Sequence, residues 1–177
     1  MARIFSVLAL FSFAIAPAVA QDMPLSQILI DGEGWKKVGA PGDKPQTLPV
    51  TRTPTVATYS PDRGTIFVVV PGERFLWAAA THPNGAPVAL PKPYAPLRLP
   101  RGEKSIAVLS LGTDKDGRIY AATNLGVQVF DPTGRLCGVL TPAAEGVPEH
   151  MVFEGDKLTL WIGATKYTRK LNTSGAK

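Results

Sequence analysis

The side chains able to do chemistry are few and scattered along the 177 residues. Asp114 and Asp116, in Asp114-Lys115-Asp116-Gly117, place two carboxylates two residues apart, the opening of a calcium loop. Such a loop needs further oxygens at fixed intervals and a late Glu, whereas Asp-x-Asp-Gly equally suits a hairpin turn, the reading adopted here. The two histidines, His82 and His150, both lie in turn-rich contexts, and two distant imidazoles without Cys or carboxylate help make no zinc site. There is no Gly-x-Ser-x-Gly for a serine hydrolase. Gly32-x-Gly34 lacks the third glycine, the preceding buried strand and the following helix of a phosphate loop. The one cysteine, Cys137, sits between Leu136 and Gly138 in an apolar strand, where a small buried hydrophobe is expected rather than a nucleophile. Asn172-Thr173-Ser174 is a formal glycosylation sequon in a polar tail.

The elements that would position these groups begin after residue 20. Arg3, the apolar run Ile4 to Ile15 and the small residues Ala18-Val19-Ala20 form the three-part pattern of a cleaved export signal. The apolar run is too short to span a bilayer, no second one follows, and no Cys after the signal offers a lipid anchor. An exported product with a single Cys forms no internal disulfide and holds together by packing. The formal net charge of +5 is spread along the chain without a Lys/Arg block, so nucleic acid is not an expected partner.

From there the pattern is strands and turns, with no helical period. Leu25, Ile28 and Ile30 before Asp31-Gly32, with Trp35 and Val38 after it, predict a lead-in hairpin. Pro41 to Gln46 reads as a Pro/Gly-rich linker. Ser60-Pro61-Asp62-Arg63-Gly64 turns into the β-branched run Thr65 to Val70, and Pro71-Gly72-Glu73 turns into Arg74 to Ala80, with Trp77 as a core candidate. Pro87 to Pro100 is too proline-rich for a central strand and reads as an extended outer segment or connecting loop. Ile106 to Leu111 is an apolar strand. Asp114 to Leu140 then reads as two hairpins in succession, turning at Asp116-Gly117, Asn124-Leu125-Gly126 and Asp131-Pro132-Thr133-Gly134. A last unit holds Met151 to Phe153, Leu158 to Ile162 and Tyr167 to Leu171. Repeated short antiparallel strands at this pitch are what a propeller blade needs.

The stretch DKDGRIYAATNLGVQVFDPTGRLCGV goes further than the spacing. It resembles a late blade of the gluconolactonase / senescence marker protein (regucalcin) family, which pairs "DGRLYVAT" with "GVQVFDPDG". The resemblance covers about Thr53 to Leu171, and Gly32-Glu33-Gly34-Trp35 resembles the "GEGW" near the mature start of exported members. It implies an all-β fold, a partial β-propeller of about three blades following a cleaved signal peptide. The implied division is signal peptide over 1–20, lead-in hairpin and linker over 21–52, blades over 53–172 and a tail over 173–177. At roughly 40–50 residues per blade, six blades would need about 240–300 residues, so the chain is too short for a whole propeller of this kind.

The resemblance also implies a chemistry, hydrolysis of sugar lactones and related esters by one divalent cation such as Ca²⁺ or Zn²⁺, held at the axis by a Glu, an Asn and an Asp. Such an ion polarises the carbonyl and lowers the pKa of bound water. Where relatives carry Glu-Gly-Pro, this chain has Pro41-Gly42-Asp43-Lys44-Pro45-Gln46. The family's Asn in "PNG" falls on Thr55, and the Asp of "GADGM", counted back from Asp116-Gly117-Arg118, falls on Leu109. Leu cannot ligate a cation, and an apolar side chain there points to a site filled by packing. Glu149 and His150 could offer polar groups near the old axis, although two lone residues more often satisfy a turn than rebuild a site. No metal or other cofactor is expected unless the hydrolase reading holds.

Three readings remain at this stage. The residues favour a binding or assembly module with a degenerate metal site; the family favours a metal-dependent lactone or ester hydrolase; a remnant without a selected role is the third. Three blades leave open sheet edges, which predicts a homodimer or a partner chain completing the propeller, or a rearranged closure.

Overall fold

A computed structural model describes residues 23–39 and 56–176. The export signal over 1–20, the linker from Pro41 and the position Thr55 lie outside the described residues. A 3₁₀ turn, Leu25–Gln27, precedes β1 (Lys36–Val38). Three sheets follow, each of four antiparallel strands. The first runs β2 (Ala57–Tyr59), β3 (Thr65–Val69), β4 (Phe75–Ala80), β5 (Lys92–Pro96). The middle one runs β6 (Ser110–Thr113), β7 (Ile119–Thr123), β8 (Gly126–Phe130), β9 (Leu136–Leu140). The third is built from β10 (His150–Glu154), β11 (Lys157–Ile162) and β12 (Thr165–Lys170), with β1 on the far side of β12. The chain is all-β, in the arrangement of a partial propeller.

The turns explain why the strands stop where they do. Asp131 Oδ1 accepts bonds from the backbone N–H of Thr133 (2.9 Å) and of Arg135 (3.0 Å), closing the β8–β9 connection with its own side chain. Gly126 opens β8 at φ 109°, and a Cβ there would run into the Leu140 carbonyl, so only glycine lets β8 and β9 close up.

The middle sheet is buried on both faces. Every residue of β7 and β8 is buried, so these strands lack the alternation of a half-exposed sheet. On one face Tyr120, Val127 and Val129 pack with Met151, Leu158, Leu160 and Ile28. On the other, Ile119, Ala121 and Phe130 pack with Phe67, Leu76 and Ala95. Gln128 is fully buried but satisfied, its amide bonding the Arg98 backbone in both directions at 2.8 and 2.9 Å.

Two expectations are corrected. The described part of the expected 23–40 hairpin, residues 23–39, does not form one. The Asp31-Gly32 turn exists, with Glu33 N–H on Ile30 O, but β1 pairs with β12 in the register Lys36↔Thr168. Its partner is remote in sequence, where local spacing has no reach. Trp77 is half-buried and sits outside the core, because Leu76 and Ala78 take the inward positions of β4. Its indole N–H has no partner among the described residues. The proline-rich stretch supplies the outermost strand of the first sheet, β5, where Pro93 and Pro96 interrupt no central ladder.

Candidate functional site

The inner strands β2, β6 and β10 each begin a sheet, and β6 is stitched to both of its neighbours. Thr113 Oγ1 donates to Tyr59 O at 2.7 Å, and Ser110 Oγ accepts from Met151 N–H at 3.1 Å. The positions singled out by resemblance fall at one end of these strands. Leu109 stands immediately before β6, its N–H bonded to Ala122 O. Glu149 and His150 stand at the start of β10, both exposed, with Glu149 N–H on Trp161 O and the His150 ring 5.4 Å from that of Trp161. Thr55, outside the described residues, precedes β2 by one residue beyond Val56.

Leu109 is 44% exposed, so the expected filling of this site by its side chain is not what the fold does. Its neighbours Val108 and Ser110 are the buried ones instead. A divalent cation of the kind the resemblance implies needs several oxygen ligands together. Leu109 supplies none, and no group of three or more His, Cys, Asp or Glu able to hold a metal occurs among the described residues.

The opposite end of the inner strands carries a dense cluster of polar side chains. Asp114, 0% exposed, receives the backbone N–H of Asp116 (3.0 Å) and Arg118 (2.9 Å) on Oδ1. Its Oδ2 receives Arg118 Nη1 (3.3 Å), the Tyr120 hydroxyl (3.0 Å) and Thr173 Oγ1 (3.2 Å). Arg118, itself buried, donates through Nη2 to Gln27 Oε1 at 2.8 Å. Burial, and then the Asp114 carboxylate, hold the Tyr120 phenol well above its usual range, so it serves as a fixed proton donor. Lys115 holds the Asp116 carboxyl below its usual range. The Asp114/Asp116 pair is thus a hairpin turn, as its sequence suggested, but one built around a buried ion pair. Arg118, Tyr120, Gln27 and Thr173 were not singled out by sequence. One signal was available: Asp-x-x-Gly-Arg occurs at both 114–118 and 131–135, and both Asp residues accept from the i+2 and i+4 backbone N–H groups.

Two hollows adjoin this end. A cleft of about 360 Å³ lies between the first and middle sheets, lined by Ser60, Asp62, Tyr94 and Asp116 among others. The Ser60 hydroxyl, at 2.6 Å, helps hold the Asp62 carboxyl below its usual range. A hollow of about 220 Å³ lies between the inner strands, lined by Thr58, Leu111, Thr113, Met151 and Phe153, with Ala176 beside them. Cys137 is half-buried against the core. No helix among the described residues is long and apolar enough to cross a membrane.

No protein-family model matches the chain, and no curated protein matches it either. Solved structures do. A gluconolactonase from Xanthomonas campestris, described as important in glucose secondary metabolic pathways, is 25% identical with a TM-score of 0.53. That match covers 67% of this chain and 37% of the gluconolactonase. A second solved structure, an X-ray structure named for gluconolactonase, is 18% identical with a TM-score of 0.52, over 70% of this chain and 40% of its own. The chain thus spans well under half the length of the structures it matches. With its three four-stranded sheets, it carries part of a gluconolactonase-like propeller fold.

Proposed function

We propose that the chain is an exported gluconolactonase-like protein, degenerate in its metal site, that acts as a binding or assembly module. The observation that carries this reading is Leu109, an exposed apolar side chain at the end of the inner strands where the family's Asp would stand. Export rests on the pattern of residues 1–20, with cleavage before Gln21. Assembly rests on the outer faces of the first and third sheets, whose residues enter neither of the two core clusters. On the first sheet that face is apolar, with Ile66, Val68, Phe75 and Trp77 side by side.

The competing reading, a metal-dependent hydrolase of sugar lactones or related esters, is favoured by the likeness to the Xanthomonas campestris gluconolactonase. Calorimetric titration of the purified chain with Ca²⁺, Mn²⁺ and Zn²⁺, followed by a lactone-hydrolysis assay, separates the two. Absence of single-site binding, together with a discrete dimer or complex by mass in solution, is the expected result. Tight one-site binding with lactone turnover would replace this reading by the hydrolase one.

A further inference from the structure

Residues 172–176, which the sequence marks as a polar tail, are bound across three separate elements. Asn172 N–H bonds Ile28 O (2.9 Å), and Lys115 N–H bonds Ser174 O (2.9 Å). Gly175 N–H bonds Gly155 O (3.2 Å), and Ala176 N–H bonds Thr113 O (3.0 Å). Gly175 also forms a β-bridge with Asp114. We propose that the slot between the β6–β7 turn and the β10–β11 turn is a binding site for an extended Thr-x-Gly peptide, with residues 172–176 as its resident and exchangeable occupant.

Three features make this a built site. Recognition is mainly backbone to backbone, the mode by which proteins capture extended chains at strand edges. Two positions add selectivity. Thr173, only 5% exposed, places its hydroxyl on the buried Asp114 carboxylate. Gly175 lies so close to Phe153 that a Cβ would overlap the Phe153 Cβ, so no other residue fits without displacement. The Asp114 carboxylate does not depend on the occupant for its position, because Arg118, Tyr120 and two backbone N–H groups also bond it. Ala176 borders the hollow between the inner strands, so exchange of the occupant alters access to that hollow.

The test uses the full chain carrying Gly175→Val, whose own segment cannot seat, and a fluorescent peptide of sequence Leu-Asn-Thr-Ser-Gly-Ala-Lys. Saturable binding to the variant, about tenfold or more tighter than to the wild-type chain whose slot is filled, is the expected result. A peptide with Val in place of Gly should not bind. A folded variant that ignores the peptide, or that binds the Val peptide equally well, overturns the proposal. Should Gly175→Val not fold, hydrogen exchange on the wild-type chain decides. Gly175 and Ala176 amides exchanging well before the Ala121 amide support an exchangeable occupant, and exchange of all three together overturns it.

Discussion

The Ser110 hydroxyl accepts the backbone N–H of Met151 at 3.1 Å, joining the inner strand of the middle sheet to that of the third. Both partners are buried. Ser110→Ala should therefore strand the Met151 donor and cost about 1–3 kcal/mol, read as a lower denaturant midpoint at unchanged slope. A variant within experimental error of the parent chain would contradict the bridging role.

Asp114→Ala should be among the most destabilising single changes. It leaves the Arg118 guanidinium buried with only the partly exposed Asp116 opposite, and removal of one partner of a buried pair costs about 3–5 kcal/mol. Adding Arg118→Met in the same chain should recover part of the loss, since the unpaired charge is then gone. A double-mutant cycle measures the coupling, and strict additivity would refute it.

Acid should unfold the protein through its turn carboxylates. Burial pushes the Asp131 carboxyl up, but bonds from Thr133 and Arg135 outweigh it and hold it below the ordinary 3.8. A carboxyl lowered on folding stabilises the native state above its unfolded pKa, and that stability is lost as pH falls through the lowered value. Urea midpoints at about pH 6 and about pH 3 should therefore differ, and Asp131→Asn should reduce the difference. Asp116 acts in the same direction but contributes less, because its side chain is 37% exposed and screened by water.

At the alkaline end the sign reverses for Tyr120. Its phenol is raised by burial, so the stability it lends is complete below the ordinary 10.0 and is lost as pH rises toward its folded value. Tyr120→Phe should reduce this alkaline dependence, leaving the part that the likewise raised Tyr94 phenol supplies, and should leave the acid limb in place, as followed by circular dichroism across the basic range.

Leu109→Asp restores the carboxylate of the resembling family at an exposed position. Stability should change by no more than about 0.5 kcal/mol, as for most exposed substitutions. Calorimetry should still find no single-site binding of Ca²⁺, because one carboxylate does not make an oxygen cage. Stoichiometric binding by this variant would mean that other ligands already stand in place.

What could be read from the sequence was local. The turns at Asp116-Gly117 and Asp131 to Gly134 carry their own chemistry, and β7, β8 and β9 fall where those turns put them. The proline content of Pro87 to Pro100 likewise placed β5 at an edge. What escaped depends on contacts between remote residues. Val127 to Phe130 looks half-polar by alternation, yet Gln128 is buried because the Arg98 backbone satisfies its amide. Arg118 carries no local signal of burial, which follows from Gln27 and Asp114 being brought around it. The inner-strand positions Leu109, Glu149 and His150 could be located by resemblance alone, since none carries a spacing that names a chemistry.

The pairing of β1 with β12 has a consequence for the order of folding. The middle sheet pairs only strands that are neighbours in the chain, so it can form as soon as its residues leave the ribosome. The third sheet cannot, because its outermost strand is made early and its partner, Thr165–Lys170, is made after every other described strand. Closing that long loop raises the contact order and makes the β1–β12 ladder a late step. During synthesis Lys36 to Val38 must therefore wait unpaired while the two other sheets assemble.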